Sequence, residues 1–304
     1  MQPSFYKIAK GLEALKETPF KKERELQNIF EANLSLIMGL MLVKSEFTIK
    51  NKRIDTLAFD QESKAFVIIE YKRDRNSSVV DQGFTYLSLM LQNKADFILE
   101  FNEQNPKAQL SRNDVDWSQS RVVFVSSDFT DNQIEATNFK DIAIELYEVK
   151  RYGEHLLIAP IKKSKAAESV KPITQKNKDY KSIADEIKVY TEENLLSNKS
   201  DEILTLYKKY RASIINLTDD IEVKPLKWYV TFKKNNRNIT SIEIQQNCLK
   251  LFINVKLGSL DDPKDITRDV SKIGHYSTGD YELKVTDDKN LEYIMSLVKQ
   301  AIPE

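Results

Sequence analysis

The first pattern along the chain is a helical stripe. Leu26, Ile29, Phe30, Leu34, Ile37 and Met41 recur at three- and four-residue steps, which predicts one long amphipathic helix over 21–41. Short runs of β-forming residues follow at 47–50, 53–59 and 65–71, and the polar stretch 60–64 joins the last two as a hairpin. Ser78 with Asp81 three residues on marks a helix start, and that helix runs to about 94. Strands are predicted at 121–126 and 142–149. Strand, helix, strand in this order implies a right-handed crossover onto a shared sheet.

Residues 161–178 are polar, lysine-rich and aperiodic, so they read as a linker between a domain at 1–160 and a domain at 179–304. The second domain opens with helices near 181–193 and 201–216, the latter capped by Ser200 with Asp201 and Glu202 in its first turn. A three-strand meander at 228–233, 241–245 and 249–255 comes next. A short helix at 264–271, a strand at 281–285 and a helix at 291–301 close the chain.

Composition agrees with that division. A chain of 304 residues is long for one core, and two domains of about 150 residues are the expectation. The longest apolar stretch, 34–43, is too short for a bilayer, and the first 15 residues lack the pattern of a signal peptide. A single cysteine, Cys248, excludes an internal disulfide and a cysteine-based zinc cluster. A cytoplasmic protein with no membrane partner is expected. With 46 basic and 46 acidic residues the net charge is zero, so attraction to nucleic acid has to come from local patches. Lys21, Lys22 and Arg24, then Lys50, Lys52 and Arg53, then Lys72, Arg73 and Arg75 are three such patches. Each is also what a solvated face looks like.

The sharpest chemical feature is the apolar run Phe66-Val67-Ile68-Ile69 ending in Glu70-Tyr71-Lys72, with Asp55 on the partner strand. Strand side chains alternate, so Glu70 and Lys72 share a face about 7 Å apart, where Asp55 can meet them. Two carboxylates at the end of a buried strand repel unless a cation sits between them. Mg2+, or Mn2+ in its place, is the natural choice, being a hard ion that prefers oxygen ligands and keeps waters for chemistry. Glu-x-Lys alone carries no weight, because it recurs at Glu148, Glu186, Glu222 and Glu282. Its context carries the weight: an acid 15 residues upstream on a paired strand, a fully apolar approach, and a crossover helix presenting Gln82 and Tyr86 on one face. Arg73, Arg75 and Asn76 lie in the loop after the strand, which reads equally as a solvated turn or as a place for phosphate contacts.

These residues resemble the PD-(D/E)XK nucleases, including the branch with a Gln-x-x-x-Tyr helix. The order helix, three strands, helix, strand matches the mixed-sheet core of restriction-endonuclease-like α/β folds, followed here by a smaller α+β domain. Glu25-Leu26-Gln27, Glu31-x-Asn33-Leu34, Ser45-Glu46-Phe47, Arg53-Ile54-Asp55-Thr56-Leu57, Ile68-Ile69-Glu70-Tyr71-Lys72-Arg73 and Gln82-Gly83 look like a bacterial family of uncharacterised proteins. There, such a domain precedes a C-terminal domain of unknown function. The resemblance implies metal ligation by Asp55 and Glu70, with Lys72 positioning or deprotonating the attacking water. Ile54 stands where the eponymous proline would be, a position without chemistry. A further carboxylate usually comes from the first helix, and the resemblance points to Glu25. Periodicity leaves Glu23 and Glu25 bordering the buried face and sets Glu31 on the polar side.

The implied activity is metal-dependent hydrolysis of phosphodiester bonds, with DNA the expected substrate. The alternative is a nucleic-acid-binding or regulatory protein on an inactive nuclease scaffold. In the C-terminal domain, Arg268-Asp269-Val270-Ser271, Ile273-Gly274-His275-Tyr276 and Gly279-Asp280-Tyr281 resemble the signature of that domain of unknown function. It has no assigned chemistry, and a protein partner or a homodimer is compatible with it. Gly274 and Gly279 are expected at positive φ, and His275 reads as a structural turn residue.

Overall fold

The computed structural model of the chain describes residues 5–8, 10–72, 78–139, 141–164, 167–169, 178–273 and 277–303. The chain divides into two compact units, Met1–Val189 and Tyr190–Glu304. The first is built on a mixed six-stranded sheet and the second on an antiparallel one.

In the first unit a small hairpin, β1 (Phe5–Ile8) and β2 (Leu12–Leu15), precedes two helices, α1 (Glu23–Ala32) and α2 (Leu34–Met38). The predicted single helix over 21–41 is therefore broken. Asn33 turns its side-chain amide onto the Ile29 carbonyl at 2.9 Å, a local bond that competes with the helical ladder. Gly39 then closes α2 with a φ of 67°, the left-handed cap that glycine adopts freely. Met41, counted in the helical stripe, begins a strand instead.

The strands β3 (Met41–Ile49), β4 (Lys52–Asp60), β5 (Ala65–Lys72), β6 (Arg121–Ser126), β7 (Ile144–Tyr152) and β8 (His155–Pro160) lie side by side in chain order. Pairs β3–β4, β4–β5 and β7–β8 are antiparallel, while β5–β6 and β6–β7 are parallel. The helix α3 (Val79–Gln92) crosses from β5 to β6, and Ser78 caps it by accepting from the Asp81 amide. A second helix, α4 (Lys94–Gln104), follows a break at Asn93, whose side chain bonds the Leu89 carbonyl. This helix was not foreseen, nor were β1, β2, β8 and α5 (Asp131–Thr137).

Strand alternation sorts β5 between two cores. Phe66 and Ile68 join Phe84, Leu87, Met90, Phe97 and Phe101 of α3 and α4. Val67, Ile69 and Tyr71 face Leu26 and Phe30 of α1 and Leu34 and Met38 of α2. A strand buried on both faces reads as a continuous apolar run, which is how β5 appears in the sequence.

The helix α6 (Lys178–Glu186) corrects the expected domain boundary. It was expected to open the second domain, yet Ile183 and Ile187 enter the same core as α3. Beyond it, the Lys188 amide donates to the Ser118 carbonyl at 2.9 Å. The first unit thus ends at Val189 rather than near Pro160.

In the second unit, α7 (Glu192–Leu196) and α8 (Asp201–Ile215) lead into a sheet ordered β13–β14–β12–β11–β10–β9. Its strands are β9 (Glu222–Pro225), β10 (Val230–Lys234), β11 (Arg237–Ile244), β12 (Leu249–Ile253), β13 (Arg268–Asp269) and β14 (Tyr281–Val285), and α9 (Leu291–Lys299) closes the chain. Tyr207, Tyr210 and Ile214 of α8 and Ile294, Leu297 and Val298 of α9 share one core with the sheet. The expected helix at 264–271 is absent. The Asp262 carboxylate instead accepts from the Ile266 and Thr267 amides, both at 2.9 Å, and β13 follows. No helix among the described residues is long and apolar enough to cross a membrane.

The crossover helix approaches the sheet closely at Gly83. A Cβ built there would lie 2.4 Å from Ile144 Cδ1 and 2.9 Å from Ile144 Cγ1, and Ile144 is fully buried. Alanine favours a helix over glycine by about 1 kcal/mol, but overpacking costs roughly 1–3 kcal/mol. Gly83→Ala is therefore expected to lower the urea-unfolding stability of the first unit. Adding Ile144→Val, which removes the Cδ1 methyl, should restore part of it, and a double variant no better than the single would contradict this account.

Candidate active site

The site lies where the β4–β5 ladder ends. Backbone pairing runs to Thr56–Ile69, and one step further the Tyr71 amide donates to Asp55 Oδ2 at 3.1 Å. Asp55 thus stands opposite Glu70, on the face that carries Leu57, Phe66 and Ile68 and is covered by α3. Lys72, two residues beyond Glu70, donates from Nζ to Glu70 Oε1 at 3.0 Å. Asp55, Glu70 and Lys72 meet at one end of the sheet.

From α3, Gln82 Nε2 donates to the same Glu70 oxygen at 2.9 Å and to the Tyr86 hydroxyl at 3.1 Å. Tyr86 in turn donates to the Arg53 carbonyl at 3.3 Å. The helix face singled out by the Gln82–Tyr86 spacing thus bridges β5 to β4. Glu70 is only 6% exposed, and its Oε2 is buried with no hydrogen-bond partner.

Burial, and next the neighbouring Glu70 charge, push the Asp55 carboxyl up from its ordinary value of 3.8 to about 6, against the opposing effects of the Tyr71 amide and Lys72. Burial also raises the Tyr86 hydroxyl, with Glu70 second. The charge of Glu70 thus opposes ionisation of Asp55, a condition that a cation relieves.

The first helix does not follow the expectation. Glu25 accepts from Arg151 Nη1 and from the Lys21 amide, and the bond from Arg151 holds its carboxyl below the usual range. It lies on the α1 side of the sheet, toward β7, and is not part of the Asp55–Glu70 pair. Glu31, expected in solvent, points inward instead. Its Oε1 accepts from Thr56 Oγ1 at 2.5 Å and from Gln27 Nε2 at 2.9 Å. Gln27 also donates to the Asp55 carbonyl at 2.8 Å. The missed signal was Gln27, a polar residue inside the apolar stripe and four positions before Glu31.

Glu46 was missed as well. Ser45 pairs with Thr56 and Phe47 with Ile54, so Glu46 stands opposite Asp55, and its charge adds to the rise in the Asp55 carboxyl. No group of three or more His, Cys, Asp and Glu side chains among the described residues is arranged to hold a metal by itself. Arg73, Arg75 and Asn76 lie outside the described residues, as do Gly274 and His275. Gly279 does take a positive φ of 114°, with the Ile253 carbonyl oxygen 2.4 Å from where a Cβ would be.

An uncharacterised protein of Haemophilus influenzae is 53% identical to this chain over 294 residues, 96% of the chain and 97% of that protein. The chain belongs to that protein's family. Within the family chain, residues 192–302 match the domain of unknown function DUF5655, which covers most of the second unit. Two solved structures show a distant likeness: a repair endonuclease from Pyrococcus abyssi, at 15% identity, and the EndoMS complex with double-stranded DNA, at 12%. Each aligns with 48% of this chain at a TM-score of 0.25. The chain spans 66% and 64% of their respective lengths, just under two thirds.

The raised Asp55 carboxyl fixes the sign of a pH effect. An acid whose pKa is higher in the fold binds its proton more tightly there, so ionising it costs stability as pH rises from about 4 through 6. Above pH 6 the cost is fully present. Asp55→Asn, which keeps an acceptor for the Tyr71 amide, is expected to raise the melting temperature by a few degrees at about pH 7.5, and the gain should vanish near pH 4. A gain that grew on acidification would have the wrong sign.

Proposed function

We propose that the first unit is a metal-dependent nuclease on a restriction-endonuclease-like core, hydrolysing phosphodiester bonds in nucleic acid, with DNA the expected substrate. The observation that carries this reading is the buried Glu70 carboxylate. One oxygen is shared by Lys72 and Gln82 while the other has no partner, and Asp55 stands beside it. A buried carboxylate oxygen without a donor is costly, and a bound cation removes that cost. Asp55 and Glu70 would hold Mg2+ or Mn2+. Mg2+ keeps several waters and binds through one or two carboxylates, so a pair of acids fits it. When bound, the ion supplies Lewis acidity, lowering the pKa of water and neutralising charge on the phosphate.

The chain's own residues do the rest. Lys72 Nζ, held by Glu70, donates a hydrogen bond that orients the attacking water, whose proton leaves to solvent. Gln82 keeps Glu70 Oε1 in place, and Tyr86 ties Gln82 to β4 through the Arg53 carbonyl. Arg73, Arg75 and Asn76, which follow Lys72 in the sequence, are assigned to phosphate contacts. The second unit is assigned to recognition or regulation, through a protein partner or a second copy, in a cytoplasmic protein. One observation favours the alternative of a binding module on an inactive scaffold. Glu25 is committed to Arg151, so that helix acid is not part of the pair.

Incubation of the purified chain with duplex and single-stranded DNA and RNA, in Mg2+ or Mn2+, separates the two. Cleavage is expected, and Lys72→Ala should slow it by about 10²–10⁴-fold while keeping the metal-dependent rise in melting temperature. Asp55→Ala should lose both. A wild-type chain that cuts no probe faster than Lys72→Ala leaves the binding module as the better account.

A further inference from the structure

Two arginines stand beside the site without a part in the proposed chemistry. Arg24 comes from the first turn of α1 and Arg53 from the second residue of β4. Arg24 Nη1 meets Glu46 Oε1 at 2.5 Å and Arg53 Nε meets Glu46 Oε2 at 2.9 Å. Two guanidiniums from separate elements therefore grip one carboxylate by both of its oxygens. The arginine side chains are 53% and 67% exposed, and ion pairs this exposed contribute little to folding. Stability is not a sufficient reason for the arrangement.

Its position supplies another reason. Glu46 lies opposite Asp55 on the edge strand β3, so Glu46, Asp55 and Glu70 form a row across three neighbouring strands. Glu46 adopts a φ of 56°, a left-handed conformation uncommon for a residue other than glycine. Arg53 is anchored to the site from its other side, since its carbonyl accepts from Tyr86. The basic pair thus borders the row of acids through Glu46.

We propose that Arg24 and Arg53 form a clamp for a phosphate of the nucleic-acid backbone, and that Glu46 fills the clamp until a phosphodiester displaces it. The non-bridging oxygens of a phosphodiester carry one negative charge in a two-oxygen array, which guanidinium groups grip much as they grip a carboxylate. Held by Glu46, the arginines stay aimed at the position a phosphate takes. Binding then exchanges one anion for another, and the displaced Glu46 turns to solvent. The proposal rests on the nucleic-acid part of the proposed function and is independent of cleavage.

The test uses the full chain carrying Lys72→Ala, so that probes stay intact. Fluorescein-labelled duplex DNA of about 20 base pairs, and the matching single strand, are titrated by anisotropy at roughly 50 to 200 mM NaCl. With one phosphate contact removed, Arg24→Gln with Arg53→Gln should reduce the slope of log K against log salt by about 0.9 on duplex DNA. Glu46→Gln should tighten binding by about three- to tenfold when both arginines are present and leave it unchanged when both are replaced. Glutamine at exposed positions leaves the melting temperature in place, so a reduced slope reports binding rather than folding. An unaltered slope overturns the clamp, as does equal tightening by Glu46→Gln in both backgrounds, which would reflect only a lost negative charge. A wild-type chain that cuts in Mg2+ but whose slope ignores the arginines loses the clamp and keeps the nuclease. One that cuts nothing yet shows the slope change keeps the clamp and loses the nuclease.

Discussion

The first unit is organised around a carboxylate placed at the end of a strand that has no solvent on either face. From Ala65 to Ile69 every residue of β5 is fully buried, so Glu70 emerges from an apolar layer and can be neutralised only by what is brought to it. Lys72 arrives from the same strand by alternation, and Gln82 arrives from α3. That second contact needs the helix close to the sheet, and Gly83, the next residue, is where a side chain would collide with Ile144. The missing Cβ at Gly83 and the amide on Glu70 are two aspects of one close approach.

The opposite face fixes the other acid. Gln27, only 4% exposed, donates to the Asp55 carbonyl and to Glu31, and it lies 3.4 Å from Ser45 Oγ. Thr56 completes the group by donating to Glu31 and approaching the Tyr71 hydroxyl at 3.4 Å. Burial raises that hydroxyl well above its usual range, so it stays neutral and serves as a hydrogen-bonding group. The backbone of Asp55 is held from the α1 layer while its carboxylate is held by the Tyr71 amide. The α1 layer and the neighbouring strand β5 together therefore define where this acid points.

Much of this was legible in the residues, for reasons that are local. A period of two puts Glu70 and Lys72 on one face whatever the rest of the chain does, and Ser78 with Asp81 marks the start of α3 by its own hydrogen bond. The errors occur where a side chain competes with the backbone or where two cores compete for a helix. Asn33 bonds the carbonyl four residues earlier and interrupts a helix that the apolar stripe alone would continue. Asp262 captures two amides where a helix was expected. The helical wheel that sent Glu31 to solvent was centred on a stripe running to Met41, and ending the helix at Ala32 moves the stripe's centre toward Gln27. Hydrophobic spacing shows that α6 has an apolar face. Which core receives that face is a tertiary fact.

Among the described residues, Glu46, Asp55 and Glu70 stand against Arg24, Arg53 and Lys72, three of each sign, and these six side chains sum to zero when all are ionised. Neutrality holds for the set as a whole but not at Asp55, where burial and the two flanking acids outweigh Lys72 and lift its carboxyl to about 6. A divalent cation held by Asp55 and Glu70 would relieve that local repulsion and leave the set two charges positive. The natural counter-charge to such an excess is a phosphate, and the arginines already grip an anion of comparable shape. Each step in this order would make the next electrostatically easier: ionisation of Asp55, binding of a cation by Asp55 and Glu70, then exchange of Glu46 for a phosphodiester. Run backwards, the same order would leave these six side chains self-neutralised in the absence of nucleic acid, with Glu46 occupying the clamp.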